Sequence, residues 1–383
     1  MTNKIGLLLP RSVIYPKISF DIANGLKFGL ANNDIKNIEI KTENIGLCND
    51  SKLIYATCEK LLFDGANIIA GYVNPITANA LEPLFAAADA LFIALDSGMH
   101  YPVELVKNSH IITLSLDGAL CNHAIATKVT SDNMKNVSFT CSFFDSGYRS
   151  ALPFATSLNE TGGKIASNYI SPLKRADYSL TKLEEQVTGE NSDAIFTSSC
   201  GDMAQDFFNY LAKSKTLLEY PIYGSSYMAE EEWLAKINYP GTDIKVCVPW
   251  AKRLNNPANH KFIETMISNK SRAGIFSLLG YDAASIISKI INANDVEEAL
   301  VILDGLEFDS PRGKSVIDST YNCVHAPIYL GWIQKDEQNK FCMLDPRESI
   351  TNTDELRRLQ YNDITASAGV YTSWVNAYPC IES

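Results

Sequence analysis

Residues 64–95 read DGANIIAGYVNPITANALEPLFAAADALFIAL, and this stretch decides the fold class. Residues 67–71 (NIIAG) and 90–95 (ALFIAL) are short apolar runs, and residues 78–88 between them have the length of a helix. A strand that is apolar at nearly every position is buried on both faces, as in a parallel sheet. Two such strands with a helix between them form a βαβ crossover. Between the first strand and the helix stand Val73, Asn74, Pro75, Ile76 and Thr77. Asn74 suits an N-cap, and Pro75 suits the first helical position, where its missing N–H costs nothing.

The same rhythm extends outward. Residues 4–9 (KIGLLL), 37–42 (NIEIKT) and 110–114 (HIITL) read as strands. Ile22, Leu26 and Leu30 mark one helical face, and Ile54, Cys58, Leu61 and Leu62 another. The pattern then restarts with strands at 136–141, 164–169, 193–197 and 220–224, and with Phe154, Leu158, Leu183, Phe207 and Leu211 on the intervening helices. After residues 245–249 (KVCVP) it changes to helices at 259–269, 275–292 and 296–303, then β segments at 313–318 and 326–333. A chain of 383 residues exceeds what one hydrophobic core usually serves, so two domains are expected. No Pro/Gly/Ser-rich linker separates them, which favours lobes that the chain crosses more than once.

Composition narrows the functions. Apolar residues make up 46% and charged residues 20%, values of a folded globular chain. The net charge of -11 repels phosphate backbones and anionic headgroups, so nucleic acid is not an expected partner. The longest apolar stretch, residues 84–95, is too short to span a bilayer and carries Asp89. The apolar residues 5–9 end at Pro10 and Arg11, which suits a strand better than a signal peptide. Two readings follow: a cytoplasmic protein, or an extracytoplasmic one whose secretory peptide has been removed. The nine cysteines form no CxxC, so zinc-ribbon and thioredoxin chemistry are not indicated; buried small hydrophobes are the expectation.

Catalytic motifs are missing. There is no GxGxxG. Gly313-Lys314-Ser315 resembles the end of a P-loop, but Phe308 stands at the first glycine and a strand follows. Gly224-Ser225-Ser226-Tyr227-Met228 has Met228 where a nucleophile elbow needs glycine. The five histidines show no metal-binding spacing. The run Glu230–Glu232 reads as a solvated helix face, with Trp233 and Leu234 turned inward. No catalytic residue, metal or cofactor is expected.

The chemistry that remains lies at the carboxyl ends of the strands, where open α/β sheets bind ligands. These ends carry Ser12; Tyr72, Asn74 and Thr77; Asp96, Ser97 and Gly98; Tyr148; Ser199; and Ser226 and Tyr227. They offer hydrogen bonds and flat apolar surfaces. A helix start at Asn74-Pro75 with Thr77 beside it suits a ligand carboxylate, and equally suits plain capping.

Taken in order, KIGLLLPRS, the 64–95 stretch, VSFTCSFFDSGYRSALPF and FDSPRGKSVIDSTYNCVHAPIYLGWI resemble the type I periplasmic binding proteins of the leucine/isoleucine/valine-binding group. The likeness runs to about residue 335. It implies two Rossmann-like α/β lobes with parallel sheets joined by three crossings, lobe one at 1–117 and 251–325 and lobe two at 118–250 and 326–383. It implies an extracytoplasmic protein that closes around a small polar solute, such as an amino acid or amide, and delivers it to the membrane permease of an ABC importer. A cytoplasmic sensor of the same fold and an α/β enzyme are the rivals. By position the likeness places ligand contacts at Asn74, Thr77, Asp96, Ser97, Gly98, Tyr148 and Ser199. The acid expected near Ser226 to meet an amino group is missing, and Asp96 or Asp117 could supply that charge. Tyr72, Tyr227, Trp250 and Tyr281 complete the candidate set as aromatic walls.

Overall fold

The computed structural model describes residues 3–107, 109–143 and 151–367. In chain order the first segment contains β1 (Asn3–Leu9), α1 (Ile18–Asn32), β2 (Ile38–Asn44), α2 (Ser51–Phe63), β3 (Ile68–Tyr72), α3 (Pro75–Ala88), β4 (Leu91–Asp96) and β5 (Ile111–Ser115). The second contains α4 (Gly118–Ser131), β6 (Asn136–Cys141), α5 (Ala151–Glu160), β7 (Lys164–Ile170), α6 (Thr181–Gly189), β8 (Ala194–Ser198), α7 (Gly201–Leu211), β9 (Ile222–Gly224), α8 (Glu231–Leu234) and β10 (Ile244–Val248). Then come α9 (Pro257–Ser268), α10 (Ile275–Ile290), α11 (Val296–Leu303), β11 (Glu307–Ser310), β12 (Gly313–Asp318) and β13 (Cys323–His325). The chain closes with β14 (Tyr329–Lys335), β15 (Cys342–Ser349) and α12 (Thr353–Ala366).

Two compact units result. One comprises Met1–Leu116 and Leu254–Pro327, the other Asp117–Arg253 and Ile328–Ser367, so the chain changes unit at Leu116–Asp117, Arg253–Leu254 and Pro327–Ile328. The first unit carries an eight-stranded sheet in the order β11-β12-β13-β5-β4-β3-β1-β2. Its strands from β2 to β13 are parallel, while β12 and β11 add antiparallel at one side. The apolar runs of β3 and β4 are buried at every residue, whereas the edge strand β2 is at best half-buried throughout. Helix α1 packs on α10 through glycine. A methyl group on Gly25 would collide with the Ser277 carbonyl, and one on Gly280 with the Ile22 carbonyl. Only glycine permits such backbone-to-backbone approach.

The second unit carries a seven-stranded sheet in the order β15-β14-β10-β9-β8-β6-β7. It is parallel from β7 to β10 and antiparallel at β14 and β15. Its core centres on Phe139, Phe154 and Phe196, the last two stacked at 3.8 Å. Polar contacts hold α12 on α4. Arg357 Nη1 donates to Asp117 Oδ1 at 3.2 Å, and Asp363 Oδ2 lies 3.4 Å from His123 Nε2.

The structure departs from the sequence reading in four places. Residues 326–333 are not one β segment: β13 ends at His325 and β14 begins at Tyr329, after Pro327 at the change of unit. The late strands make both sheets mixed rather than parallel throughout. α4, β11, β15 and α12 were not expected. The carboxylates 230–232 are not a solvated face. Glu230 is buried, and Glu231 is raised above the ordinary carboxylate range by desolvation while it accepts the Lys252 N–H at 2.9 Å.

Candidate functional site

In each unit one point of the parallel sheet separates strands whose connections run in opposite directions. Loops part there and leave a crevice at the carboxyl ends. In the first unit it lies between β1 and β3, which are neighbours although β2 comes between them in sequence. In the second it lies between β6 and β8.

The first crevice is built from local capping. Ser12 Oγ accepts the Tyr15 N–H at 2.9 Å and shapes the loop after β1. Asn74 has an extended backbone and caps α3, its Oδ1 accepting the Thr77 N–H at 2.8 Å, with Pro75 following in the first turn. The cap therefore takes up one of the N–H groups that a ligand would otherwise use. Ile76 and Thr77 complete the first turn of that helix. Beneath them Phe276, from the first turn of α10, meets Tyr15 edge-on at 5.3 Å and Tyr72 at 5.8 Å. Sequence reasoning missed Tyr15 and Phe276; the latter reads as one more member of an apolar helix stripe.

Asp96 is level with Ser115 in the β4–β5 pairing. Its Oδ1 accepts the Gly98 N–H and, at 2.9 Å, the Ser115 hydroxyl. Gly98 has φ +73°, so Asp96, Ser97 and Gly98 form a side-chain-closed turn with glycine where the left-handed backbone requires it. Asn74, Asp96 and Ser97 are all buried.

Asp117 belongs to the other unit. It opens the second unit, holds a left-handed backbone at φ 53°, and is paired with Arg357. Its charge is thus already countered by a buried guanidinium, a partner the sequence did not disclose. Tyr281 is not brought to the strand ends by the packing of its helix. It meets Phe262 at 5.1 Å, accepts a hydrogen bond from Asn32 Nδ2 at 2.9 Å, and lines a separate cavity of about 590 Å³ with Asn256, Lys261 and Lys289.

In the second unit Ser199 follows β8 and is buried. The Ser225 N–H donates to the Thr197 carbonyl at 3.0 Å, which joins the loops after β8 and β9. Ser226 and Tyr227 sit in a short 3-10 turn, and Tyr227 and Trp250 are buried. Tyr148 lies outside the described residues.

One buried constellation bears on catalysis. His123 Nδ1 lies 2.8 Å from Ser157 Oγ, and Asp363 is on the other ring nitrogen. The ring is turned the opposite way from a serine-hydrolase triad, in which Nε2 faces the serine. Ser157 is only 1% exposed, and Asp363 also accepts from the Thr156 hydroxyl at 3.0 Å. The cluster ties α12 to α4 and α5.

The profile of the family described as periplasmic binding protein matches residues 2–338. A Leu/Ile/Val-binding protein homolog of Brucella suis is 21% identical over 296 residues, 74% of each chain. A solute-binding protein of an ABC transporter from R. palustris, in complex with 4-hydroxybenzoate, superposes with TM-score 0.74 at 18% identity, covering 92% of this chain and 98% of the other. An ABC transporter substrate-binding protein from Sphaerobacter thermophilus gives TM-score 0.79 at 15% identity over 92% and 98%. An ABC-type branched-chain amino acid transporter protein of Rhodopseudomonas palustris gives 0.70 at 16% identity over 91% and 96%.

Proposed function

As the chain belongs to the periplasmic binding protein family, we propose that it is the extracytoplasmic solute-binding component of an ABC importer and that it takes a small carboxylate-bearing solute. The observation that carries this reading is the start of α3, set after β3 at the point where β1 and β3 neighbour each other, with Thr77 in its first turn. A helix N-terminus concentrates partial positive charge and N–H donors, and suits a carboxylate. Tyr72, Tyr15 and Phe276 supply apolar surface for the rest of the molecule. Structural neighbours include a complex with 4-hydroxybenzoate and a branched-chain amino acid transporter protein, and those two solute classes share a carboxylate and an apolar body. In this chain Asp117 is engaged by Arg357, and Asp96 by Gly98 and Ser115, so neither stands as a dedicated ammonium partner. An organic acid without an amino group suits that arrangement better than an amino acid.

Binding would act by population shift, the solute favouring a closed form by its differential affinity. Moving the chain from almost wholly open to almost wholly closed takes roughly 5.5 kcal/mol of such preference. Native mass spectrometry followed by thermal-shift screening against amino acids, amides and small aromatic and aliphatic acids tests the reading. An unmodified carboxylate that stabilises the protein supports it, and release of a chemically converted solute overturns it. Replacing Thr77 by Ala is expected to weaken binding by about 1–3 kcal/mol in calorimetry; unchanged affinity would move the carboxylate elsewhere.

A second reading, a cytoplasmic sensor of the same fold, draws on the thiols. The eight cysteines of the described residues form no disulfide, and reducing compartments keep thiols in that state. Fractionating the source cells and locating the protein separates the two.

A further inference from the structure

Arg312 and Asp282 are both fully buried, with Arg312 Nε 3.4 Å from Asp282 Oδ2. Ser310 completes the group. Its hydroxyl donates to Asp282 Oδ2 at 2.8 Å and accepts the Arg312 N–H at 3.1 Å. A buried ion pair is costly to desolvate, and an apolar pair of similar volume is often as stable, so stability alone does not account for it. The guanidinium also reaches out of the pair. Arg312 Nη1 donates to the carbonyl oxygen of Ser115 at 2.8 Å. Ser115 is the last residue of β5, one residue before the unit ends. Its own hydroxyl donates to Asp96 Oδ1 at 2.9 Å, and the Leu116 N–H donates to the Asp96 carbonyl at 3.0 Å. Asp96 in turn holds the Gly98 N–H.

We infer that Arg312 is a positioning residue for solute binding: anchored by Asp282, it fixes the end of β5 and through Ser115 holds the Asp96–Gly98 loop in its binding shape without touching the solute. The inference rests on the function proposed above for its consequence in binding. The coupling of Arg312 to the loop stands apart from it and is measurable with no solute present. A charge-assisted hydrogen bond to a strand-terminal carbonyl is short-range and directional, so it sets the position of one residue. Ser115 passes that position to the carboxylate that closes the turn.

The test is hydrogen exchange of the full chain, comparing wild type with Ser115→Ala, Arg312→Lys and the double variant. Protection of the Gly98 amide is expected to fall about tenfold or more in each single variant. It is expected to fall no further in the double variant, because both changes cut one line of contact. Protection in β1 and β3 is expected to stay unchanged. Unaltered Gly98 protection in both single variants, additive losses in the double variant, or loss spread over the whole sheet would overturn the inference. The last of these is what a merely structural role for the pair predicts. The same proteins are titrated with 4-hydroxybenzoate and with leucine. If wild type binds one of them, Ser115→Ala is expected to weaken it by about tenfold. If wild type binds neither, these probes lend the functional reading no support, while the exchange data still decide whether Arg312 holds the loop.

Discussion

In the first unit α1 rests on α10 through bare backbone at Gly25 and Gly280, with polar pairs such as Asn32 and Tyr281 beside it. In the second, α12 rests on α4 and α5 through charge and imidazole, by way of Arg357–Asp117 and the His123, Ser157 and Asp363 cluster. The two solutions fail differently. A glycine seam has no polar group to strand, so damage to it is steric and grows with added volume. An ionic seam punishes the loss of either partner, because the other is left charged and buried.

The largest expected effect follows from that asymmetry. Arg357→Ala should cost about 3–5 kcal/mol, since it leaves the Asp117 carboxylate buried without its guanidinium. Arg357→Met combined with Asp117→Gly removes both charges and keeps the left-handed backbone with a residue that adopts it freely. That pair of changes should recover most of the loss. Urea unfolding followed by exchange in each unit checks this; equal destabilisation by the single and double variants would break the comparison. Next in size, Gly25→Ala should cost about 1–3 kcal/mol by forcing α1 away from α10, with loss of protection confined to the first unit. A neutral result would mean that the helices separate at no cost.

The smallest effect is in pH dependence, and it runs in opposite directions in the two units. Burial raises the Asp282 carboxyl to about 6, against the attraction of Arg312. The folded form therefore holds this proton more tightly than the unfolded chain. The contribution of Asp282 is fully present below the ordinary value of 3.8 and is lost as pH rises through about 6. Asp193 in the second unit is lowered by the N–H groups of Asn136 and Lys135, at 2.8 and 2.9 Å. Its contribution is present above 3.8 and is lost as the solution becomes more acid than that. Between pH 7 and 4.5 Asp282 should add protection to the first unit, corrected for intrinsic exchange, and Asp282→Asn should abolish that gain. Below pH 3.8 Asp193 should subtract protection from the second.

The parallel part of each sheet was legible because buried strands are continuous apolar runs, as in β3 and β4, and because Asn74-Pro75 is a chemical signature of a helix start. β15 (CMLDPRES) was not legible: it is an antiparallel edge strand carrying Pro346 and three charged residues, Asp345, Arg347 and Glu348. α12 hid for a related reason. Only Leu356, Leu359 and Ile364 are its buried apolar residues, and its other buried side chains are Arg357 and Asp363, whose partners lie more than two hundred positions earlier. Residues at strand ends could be read as candidates because sheet topology alone directs ligands there. The engagement of Asp96 and Asp117 could not, since a charged residue in a sequence looks solvated until its partner is placed beside it.

The pairing of β5 with β13 has a consequence for biosynthesis. Thr113 is level with Cys323, so the strand that covers the edge of β5 is made about two hundred residues later, after the 117–253 segment. At roughly 5–20 residues per second a nascent chain carries that open edge for about 10–40 s before its cover leaves the ribosome. An uncovered edge of apolar, parallel strand is a template for pairing with other chains. Synthesis at high temperature or crowding thus endangers this protein chiefly in the interval between β5 and β13, and a holdase that shields residues 111–115 during that interval would raise its yield without touching its final stability.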